Sequence, residues 1–390
     1  MREKGMLTWH FLHCVLHNRT IIINFAYNTR CFSDNSMADK IRIKDIAERA
    51  GVSVGTVDRV LHNRPNVSPR ALEKIKQVLE EFNYKPNVYA SALAYNKSYT
   101  FVLYIPVHTS EAYWQEVEEG ARKAEEIHAD FNINLKIVHY KRLDDKDFEQ
   151  KARECMVFNP DGIVIVPAGL DVTQRFTDYL HENNIPFVML DSYMPEAHPL
   201  AFFGQDSFSS GYFAAKILML IAGNDTQVML MRQTRNGMLA TRQQENREVG
   251  IRHYMQENFP ETKIVTLDLP AEGSTETYNR RLDDFFQSHP DVHHCITINS
   301  KAHIIGEYLL KNNRHDIQVM GYDMVPRNAE CLKKGSISFL IAQHGYQQGY
   351  SCMDALFRSI VLKRQVETLN YMPIELLTRE NCKFYRRTQM

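Results

Sequence analysis

The segment of residues 41–97 constrains this chain most, because it predicts several short helices packed on one another. Residues 44–50 place small and apolar side chains on one helical face. Gly51 then supplies the positive φ of a tight turn. Ser53 is suited to cap a second helix over residues 54–62. This spacing predicts a helix-turn-helix, whose second helix enters the major groove of DNA. An ordinary helical hairpin is the alternative.

A third helix is expected directly after this motif. Ser68 is suited to its N-cap and Pro69 to its first helical position, where the missing N–H costs nothing. Apolar residues then recur at helical spacing and would close a small core. The unit ends at residues 84–87 (YKPN), because the residue before proline avoids helical geometry. Residues 88–94 could form a fourth helix, which is too short to be stable alone.

The segment resembles the DNA-binding headpiece of the lactose-repressor (LacI/GalR) family. The match consists of A-G-V-S-x-x-T-V-x-R-V-L at residues 50–61, V-S at 67–68, Y-x-P-N at 84–87 and L-A at 93–94. The resemblance implies binding to double-stranded operator DNA. It also implies a hinge helix that folds only on DNA, with Leu93 wedged into the minor groove, where it bends the site. A buried position in a linker is the alternative for Leu93.

The predicted recognition helix departs from the family pattern at some positions. The family usually has serine where this chain has Asp58, and a polar base reader where it has Val54 and Gly55. Asp58 would repel phosphates unless it pairs with Arg59 or accepts from a cytosine amino group. We expect Val54, Arg59 and His62 to read bases, and Ser53 and Thr56 to contact phosphate. The predicted DNA-binding residues are Ser53, Val54, Gly55, Thr56, Arg59, His62, Asn63 and Leu93.

Charge and composition agree with this interpretation without proving it. Residues 37–97 contain 11 Lys and Arg against 7 Asp and Glu, whereas the whole chain has a net charge of −1. A basic end can find DNA while the acidic remainder stays off it. The seven cysteines form no C-x-x-C pair, so neither a zinc motif nor a disulfide framework is indicated. Reduced thiols favour a cytoplasmic location.

The first residues of the chain fit no targeting signal. Residues 1–36 are too polar to span a membrane and lack the apolar run and cleavage site of a signal peptide. Met37 directly precedes the helical unit. We therefore expect residues 1–37 to be a non-native or disordered extension, with Met37 as the true start. A genuine extension is the alternative.

From residue 98 onward, short apolar strands alternate with amphipathic helices. Residues 99–105 (YTFVLYI) predict a strand and residues 113–127 a helix, and this alternation continues to residue 190. A second series begins near residue 211. Such alternation predicts parallel sheets with helices on both faces. Tandem lobes of this kind suggest a cleft, because ligands bind beyond the C-terminal ends of the strands.

This part resembles the periplasmic-binding-protein (type I) fold that the same repressor family uses as its sensor. The resemblance implies an α/β chain with an all-α headpiece and a two-lobed sensor of doubly wound parallel sheets. The expected parts are a helix-turn-helix domain at residues 38–87, a hinge at 88–97 and a sensor and dimerisation domain at 98–385. The sensor would divide into an N-lobe of about 98–204 and 344–370 and a C-lobe of about 205–343 and 371–385.

Polar residues follow several of the predicted strands. In the family, such positions contact a sugar or a similar effector, and aromatic residues stack on it. Asp, Asn, Gln and Arg offer the donors and acceptors that vicinal hydroxyls need, and aromatic rings cover C–H faces. Ser192 stands where the family's sugar binders often have arginine. The predicted effector-binding residues are Tyr113, Trp114, Asp191, Arg247, Asn299, Asp323 and Gln343.

Structural roles are the alternative for each of these residues. Asp191 and Asp323 could cap loops, and Arg247 could form a surface ion pair. Trp114 could belong to the core. Asn299 could cap the helix expected near residue 302, and Gln343 could be structural.

No catalytic motif emerges, because H-E-x-x-H and glycine-rich phosphate loops are missing, and the one G-x-S-x-G match, at residues 51–55, lies between two predicted helices and not on a strand-to-helix turn. We therefore expect no enzyme, cofactor or metal. The sequence predicts a homodimeric transcriptional repressor controlled by a small molecule, a sugar or sugar derivative, acting as inducer or corepressor. The alternatives are a solute-binding protein, an enzyme acting on sugars, and an architectural DNA binder whose lobes only dimerise.

Overall fold

The computed structural model describes residues 41–385, apart from residues 62–63, 85–88, 90–91, 93–96, 110–111, 223–225, 236 and 240. Contacts divide the chain into two compact units, with the boundary between Pro86 and Asn87. Each unit is described by itself. Within these described residues, no helix has the length and apolar character needed to cross a membrane.

The first unit consists of helices α1 (Ile43–Ala50), α2 (Val54–Leu61) and α3 (Pro69–Glu81). Gly51 has the expected positive φ, at 66°. The Oγ of Ser53 accepts from the backbone N–H of Thr56 at 3.2 Å, so the predicted cap of α2 is confirmed. A small shared core holds the three helices together, and its fully buried residues are Ile46, Val57 and Ile75.

The second unit contains strands and helices in alternation. Its strands are β1 (Tyr99–Pro106), β2 (Ile133–Tyr140), β3 (Gly162–Ile165), β4 (Phe187–Leu190), β5 (Ala201–Gly204), β6 (Gln227–Arg235), β7 (Met238–Leu239), β8 (Lys263–Pro270), β9 (His294–Thr297), β10 (Gln318–Tyr322), β11 (Phe339–Ala342), β12 (Leu369–Tyr371) and β13 (Glu375–Leu377). Its helices are α4 (Tyr113–Ile127), α5 (Asp145–Val157), α6 (Leu170–Glu182), α7 (Ser207–Ala222), α8 (Arg242–Asn258), α9 (Thr275–Ser288), α10 (His303–Lys311), α11 (Pro326–Lys334) and α12 (Gly345–Leu356).

These strands form one sheet in each of two lobes. The N-lobe sheet has the order β12-β5-β4-β3-β1-β2 and is parallel throughout. In the C-lobe sheet, β11, β10, β9, β6 and β8 run parallel in that order, and β13 and β7 add antiparallel pairs. Apolar clusters cover both faces of each sheet. The predicted fold class, a helix-turn-helix unit followed in the chain by doubly wound parallel sheets, is confirmed.

The chain passes between the lobes after β5, after β11 and after β12. The buried side chain of Gln205 joins these crossings, because its Nε2 donates to the carbonyl oxygen of Ala342 at 2.8 Å and to that of Pro373 at 2.7 Å. The side-chain amide of Gln205, in the first crossing segment, therefore holds the other two crossing segments in place. Sequence patterns did not predict β5, β12, β13, α11 or α12, which are short or contain glycine and polar residues.

Glycines let one pair of helices cross very closely in each lobe. A Cβ atom on Gly120 of α4 would lie 1.9 Å from the carbonyl oxygen of Tyr346 in α12. In the C-lobe, a Cβ on Gly250 of α8 would lie 2.1 Å from the carbonyl oxygen of Phe208 in α7. Real side-chain atoms do not approach backbone this closely, so these crossings require glycine.

Candidate functional site

Two buried aspartates occupy equivalent positions in the two lobes. Asp191 follows β4 and Asp323 follows β10, and each strand is the fourth parallel strand of its lobe in chain order. The backbone N–H of Asp191 donates to Phe203 in β5, and that of Asp323 donates to Ile341 in β11, both at 2.9 Å. Their φ angles are 71° and 68°. Non-glycine residues held in this left-handed region at buried strand ends indicate a functional site.

Glutamine side chains connect these carboxylates across the cleft. Gln343 donates through Nε2 to both carboxylate oxygens of Asp323, at 2.8 and 2.9 Å. Gln243, on α8 of the C-lobe, donates to Asp191 of the N-lobe at 2.5 Å and to the Oε1 of Gln343 at 2.9 Å. The hydrogen bonds therefore run continuously from one lobe to the other.

Arg247 supplies the positive charge of this cluster. Its side chain is fully buried, its guanidinium lies 3.9 Å from the ring centre of Tyr322, and it donates to Gln343 and to the carbonyl oxygen of Ile298. Among the described residues, Arg247 Nε and the hydroxyl of Tyr113 have no hydrogen-bond partner. Buried polar atoms are seldom left unpaired in proteins, so these two atoms mark positions that a ligand could satisfy.

Burial disfavours the ionised form of both carboxyl groups. Burial raises the pKa of Asp323 to about 7, although the nearby guanidinium of Arg247 lowers it in part. Burial also raises the pKa of Asp191, against the charges of Arg142 and Arg247. Near neutral pH, Asp323 is therefore present in both its protonated and its ionised form. It can then donate to one ligand group and accept from another.

The two aromatic residues at the start of α4, Tyr113 and Trp114, take different positions. Both are buried, and their rings meet edge to face at 4.9 Å. The pKa of Tyr113 is raised, first by burial and then by the charges of Asp191 and Asp323, so its hydroxyl lies within the field of the carboxylates. Trp114 packs in the N-lobe core, and the guanidinium of Arg142 lies 4.8 Å from its ring centre.

Asn299 hydrogen-bonds outside this cluster. Its Oδ1 accepts from the backbone N–H of Lys301 at 3.1 Å, and its Nδ2 donates to Gln233 at 3.4 Å. The structure therefore places Asn299 in the turn before α10, where its short side chain bonds locally; it does not cap the helix, whose N-cap is Ala302 and has no side-chain capping bond. Gln243, Tyr322 and Arg142 were missed by sequence reasoning. Gln243 lies four residues before Arg247, and that helical spacing could have identified it.

A cavity of about 1140 Å³ lies between the lobes beside the cluster. Its lining includes Ser192, which follows Asp191, and Thr241, which lies two residues before Gln243. The hydroxyl of Ser192 is buried and has no hydrogen-bond partner among the described residues. The cluster side chains bond to one another rather than line this space. In each lobe, therefore, a residue that lines the cavity lies one or two positions from a residue of the cluster.

The first unit presents α2 as an exposed surface. Val54, Gly55 and Arg59 are exposed, whereas Val57 faces the core. The hydroxyls of Ser53 and Thr56 lie 2.8 Å apart. Asp58 pairs with Arg64 at 3.2 Å, an ion pair that the sequence did not suggest. The predicted DNA contacts His62, Asn63 and Leu93 lie outside the described residues.

Asp323→Asn is expected to remove a pH dependence of stability between about pH 4 and pH 7. Because the folded pKa is raised to about 7 from 3.8, protonation stabilises the native state fully below 3.8, and this contribution is lost as pH rises through 7. Asparagine does not titrate, so the variant should gain stability relative to wild type as pH rises. Thermal melts across this range, with the exposed Asp284→Asn as control, measure it; parallel wild-type and variant curves would contradict the assignment.

Comparisons with known families match both units. A model described as bacterial regulatory proteins of the lacI family matches residues 42–87, and a periplasmic binding protein domain matches residues 101–363. A crystal structure of a protein from Bacteroides fragilis whose name assigns it to the LacI transcriptional regulators is 44% identical, with a TM-score of 0.72. It is covered completely and corresponds to 74% of this chain.

Curated relatives are also transcriptional repressors. The probable HTH-type transcriptional repressor ExuR of Bacillus subtilis is 33% identical over 155 residues. These aligned residues are 39% of this chain and 43% of that relative. The ribose operon repressor of Halalkalibacterium halodurans is 24% identical over 353 residues, which is 87% of this chain and 97% of that protein. The chain thus spans less than half of the first relative but nearly all of the second.

Proposed function

Because this chain belongs to the lacI family of bacterial regulatory proteins, we propose that it is a cytoplasmic transcriptional repressor whose DNA binding is controlled by an effector held between its lobes. The helix-turn-helix unit binds operator DNA, and the two-lobed unit binds the small molecule. No catalytic step is part of this proposal.

The observation that carries the proposal is the buried cluster that joins the lobes. Asp191 comes from the N-lobe, whereas Gln243, Arg247 and Asp323 come from the C-lobe. A ligand that replaced Gln243 at Asp191 would exchange one set of contacts between the lobes for another. Such a ligand shifts the equilibrium between two angles of the lobes, and the size of the shift is set by the difference in its affinity for the two arrangements.

The chemistry of the cluster favours a sugar or sugar derivative as effector. Paired carboxyl groups, an arginine and amides suit vicinal hydroxyls, which both donate and accept hydrogen bonds. The hydroxyl of Tyr113 and the Nε of Arg247 supply further unpaired polar atoms. The similarity to a repressor named for a ribose operon supports the same class. Whether the effector induces or corepresses is left to experiment.

The proposed mechanism uses two copies of the chain. Two protomers pair through their sensor units, and each helix-turn-helix unit reads half of a near-palindromic operator. Effector binding is proposed to act through the predicted hinge, residues 88–97 of each protomer, most of which lies outside the described residues, and so to favour or disfavour its folding on DNA. Operator affinity then changes by the coupling free energy between the two sites.

A ligand screen on the full chain tests the effector assignment. Thermal melts are measured with monosaccharides, sugar acids, short oligosaccharides and purines, because a ligand that binds only the native state raises the melting temperature by mass action. A concentration-dependent rise with one sugar class supports the proposal. A rise only with purines, or with no compound, argues against a sugar site.

Arg59→Met is expected to weaken operator binding by at least about fivefold, because a lost arginine contact to a base costs about 1–3 kcal/mol. Arg49→Met is the matched control, since Arg49 lies on α1 and pairs with Glu81 at 2.7 Å. Fluorescence anisotropy at fixed salt, on DNA selected from a random library, measures both variants. Equal affinities for the two variants would remove Arg59 from the reading surface.

A further inference from the structure

A second polar cluster lies in the N-lobe, built from three elements that are separate in sequence. His108 follows the end of β1, His139 belongs to β2, and Glu118 lies on α4. The Nε2 atom of His139 is 3.1 Å from the Oε2 of Glu118, and the Nε2 of His108 is 3.6 Å from the same oxygen. One ligand atom from each residue lies within 4.8 Å of the others.

The orientation of His108 leaves a lone pair facing this oxygen. Its Nδ1 lies 3.0 Å from the backbone oxygen of Pro106, which can only accept a hydrogen bond. The Nδ1 of His108 therefore carries a proton, and in the neutral ring Nε2 carries none. A bare Nε2 beside a carboxylate oxygen is repulsive unless a metal cation or a second proton on the ring lies between them. Metal-binding histidines in proteins are held by this same backbone hydrogen bond.

The other oxygen of Glu118 is fixed separately. Its Oε1 accepts from Arg122 at 2.7 Å, which leaves Oε2 directed at the two imidazoles. The side chains of His108 and Glu118 are 6% and 14% exposed, whereas that of His139 is 38% exposed. The cluster is therefore rigid on its inner side and open to solvent on its outer side.

We propose that His108, Glu118 and His139 bind one Zn²⁺ ion through two imidazole nitrogens and one carboxylate oxygen, with water as the fourth ligand. Tetrahedral zinc with bonds of about 2.0–2.1 Å separates its ligand atoms by about 3.4 Å, which lies between the two measured separations. Imidazole and carboxylate ligands in this number suit zinc. Zinc replaces the hydrogen bond between His139 and Glu118: Nε2 of His139 gives up its proton to bind the ion, and the neutral ring then carries its proton on Nδ1.

The ion would connect the end of β1 with α4. Glu118 lies just over one turn along α4 from Tyr113 and Trp114, and His108 opens the segment that leads into this helix. Zinc would thus fix the start of the helix that carries the aromatic residues of the candidate effector site. The zinc site itself does not depend on the proposed function, because its ligands lie outside that cluster.

Zinc titration of the full chain tests the proposal. Calorimetry and equilibrium dialysis against Zn²⁺ compare wild type with His108→Gln, Glu118→Gln and His139→Gln. Residues 1–40 contain histidines and cysteines of their own, so the quantity of interest is the binding component that the variants lose. We expect wild type to bind one more equivalent than each variant, or at least about tenfold more tightly at that site.

His253→Gln is the matched control. His253 also pairs with a glutamate, Glu257 at 3.3 Å, but it is exposed and, among the described residues, belongs to no three-residue cluster of this kind. This variant should bind zinc like wild type. Co²⁺ provides an independent readout, because the visible absorption of a tetrahedral site should appear in wild type and the control and vanish in His108→Gln. Identical titrations and Co²⁺ spectra for wild type and the three ligand variants would overturn the proposal.

Discussion

Gly250→Ala is expected to lower the stability of the second unit by about 3 kcal/mol or more, because it overpacks a helix crossing that has no room for a methyl group. The new Cβ would lie 2.1 Å from the carbonyl oxygen of Phe208 and 2.9 Å from the backbone nitrogen of Tyr212. Both are backbone atoms, so α7 and α8 would have to separate. For a unit of this size the melting temperature should fall by roughly 5–10 °C.

Val249→Ala is the control for this change, since Val249 lies next to Gly250 on the same helix and is exposed. It should melt close to wild type. The same loss is expected for Gly120→Ala in the other lobe, where the carbonyl oxygen of Tyr346 occupies the equivalent space. If Gly250→Ala melted within about 2 °C of Val249→Ala, the close crossing would not be a determinant of stability.

Arg247→Met is expected to weaken effector binding at least about 100-fold while leaving the chain folded. Methionine fills much of the same volume but donates no hydrogen bond. Gln343 and the carbonyl oxygen of Ile298 then lose their donor, and the buried carboxylates lose a neighbouring cation. Each charge-assisted hydrogen bond of the Arg247 guanidinium contributes about 1.5–3 kcal/mol. Since 1.4 kcal/mol corresponds to tenfold in affinity, the loss of two such bonds accounts for about 100-fold or more.

Arg252→Met is the matched control for this prediction. Arg252 lies on the same helix, but its side chain is 43% exposed and pairs with Glu248. Calorimetric titration with the effector from the ligand screen should give wild-type affinity for this control. Arg247→Lys should fall between the two, because lysine keeps the charge but not the planar guanidinium. Wild-type affinity in Arg247→Met would exclude the cluster as the effector site.

The helix-turn-helix unit could be predicted from sequence in detail because its determinants are local. The positive φ of Gly51 and the cap by Ser53 depend on residues a few positions apart. The two aspartates of the cluster were also predictable, because each directly follows an apolar strand. In parallel sheets such positions meet at one edge.

The rest of the site depends on tertiary structure. Gln243 reaches Asp191 only because α8 of one lobe faces β4 of the other. His108, Glu118 and His139 have no recognisable spacing, because a loop, a helix and a strand bring them together. The pKa of Asp323 likewise follows from burial, which a sequence of charged and apolar residues does not reveal.

The most direct test of effector-controlled DNA binding is the operator affinity of the full chain with and without saturating effector, at fixed salt. Fluorescence anisotropy on the selected operator gives both dissociation constants. The account predicts that they differ by at least about fivefold, the lower end of ordinary allosteric coupling. Arg247→Met should bind the operator with the same affinity in both conditions. If the effector binds wild type but leaves its operator affinity unchanged within about twofold, the two sites are not coupled and the account is contradicted.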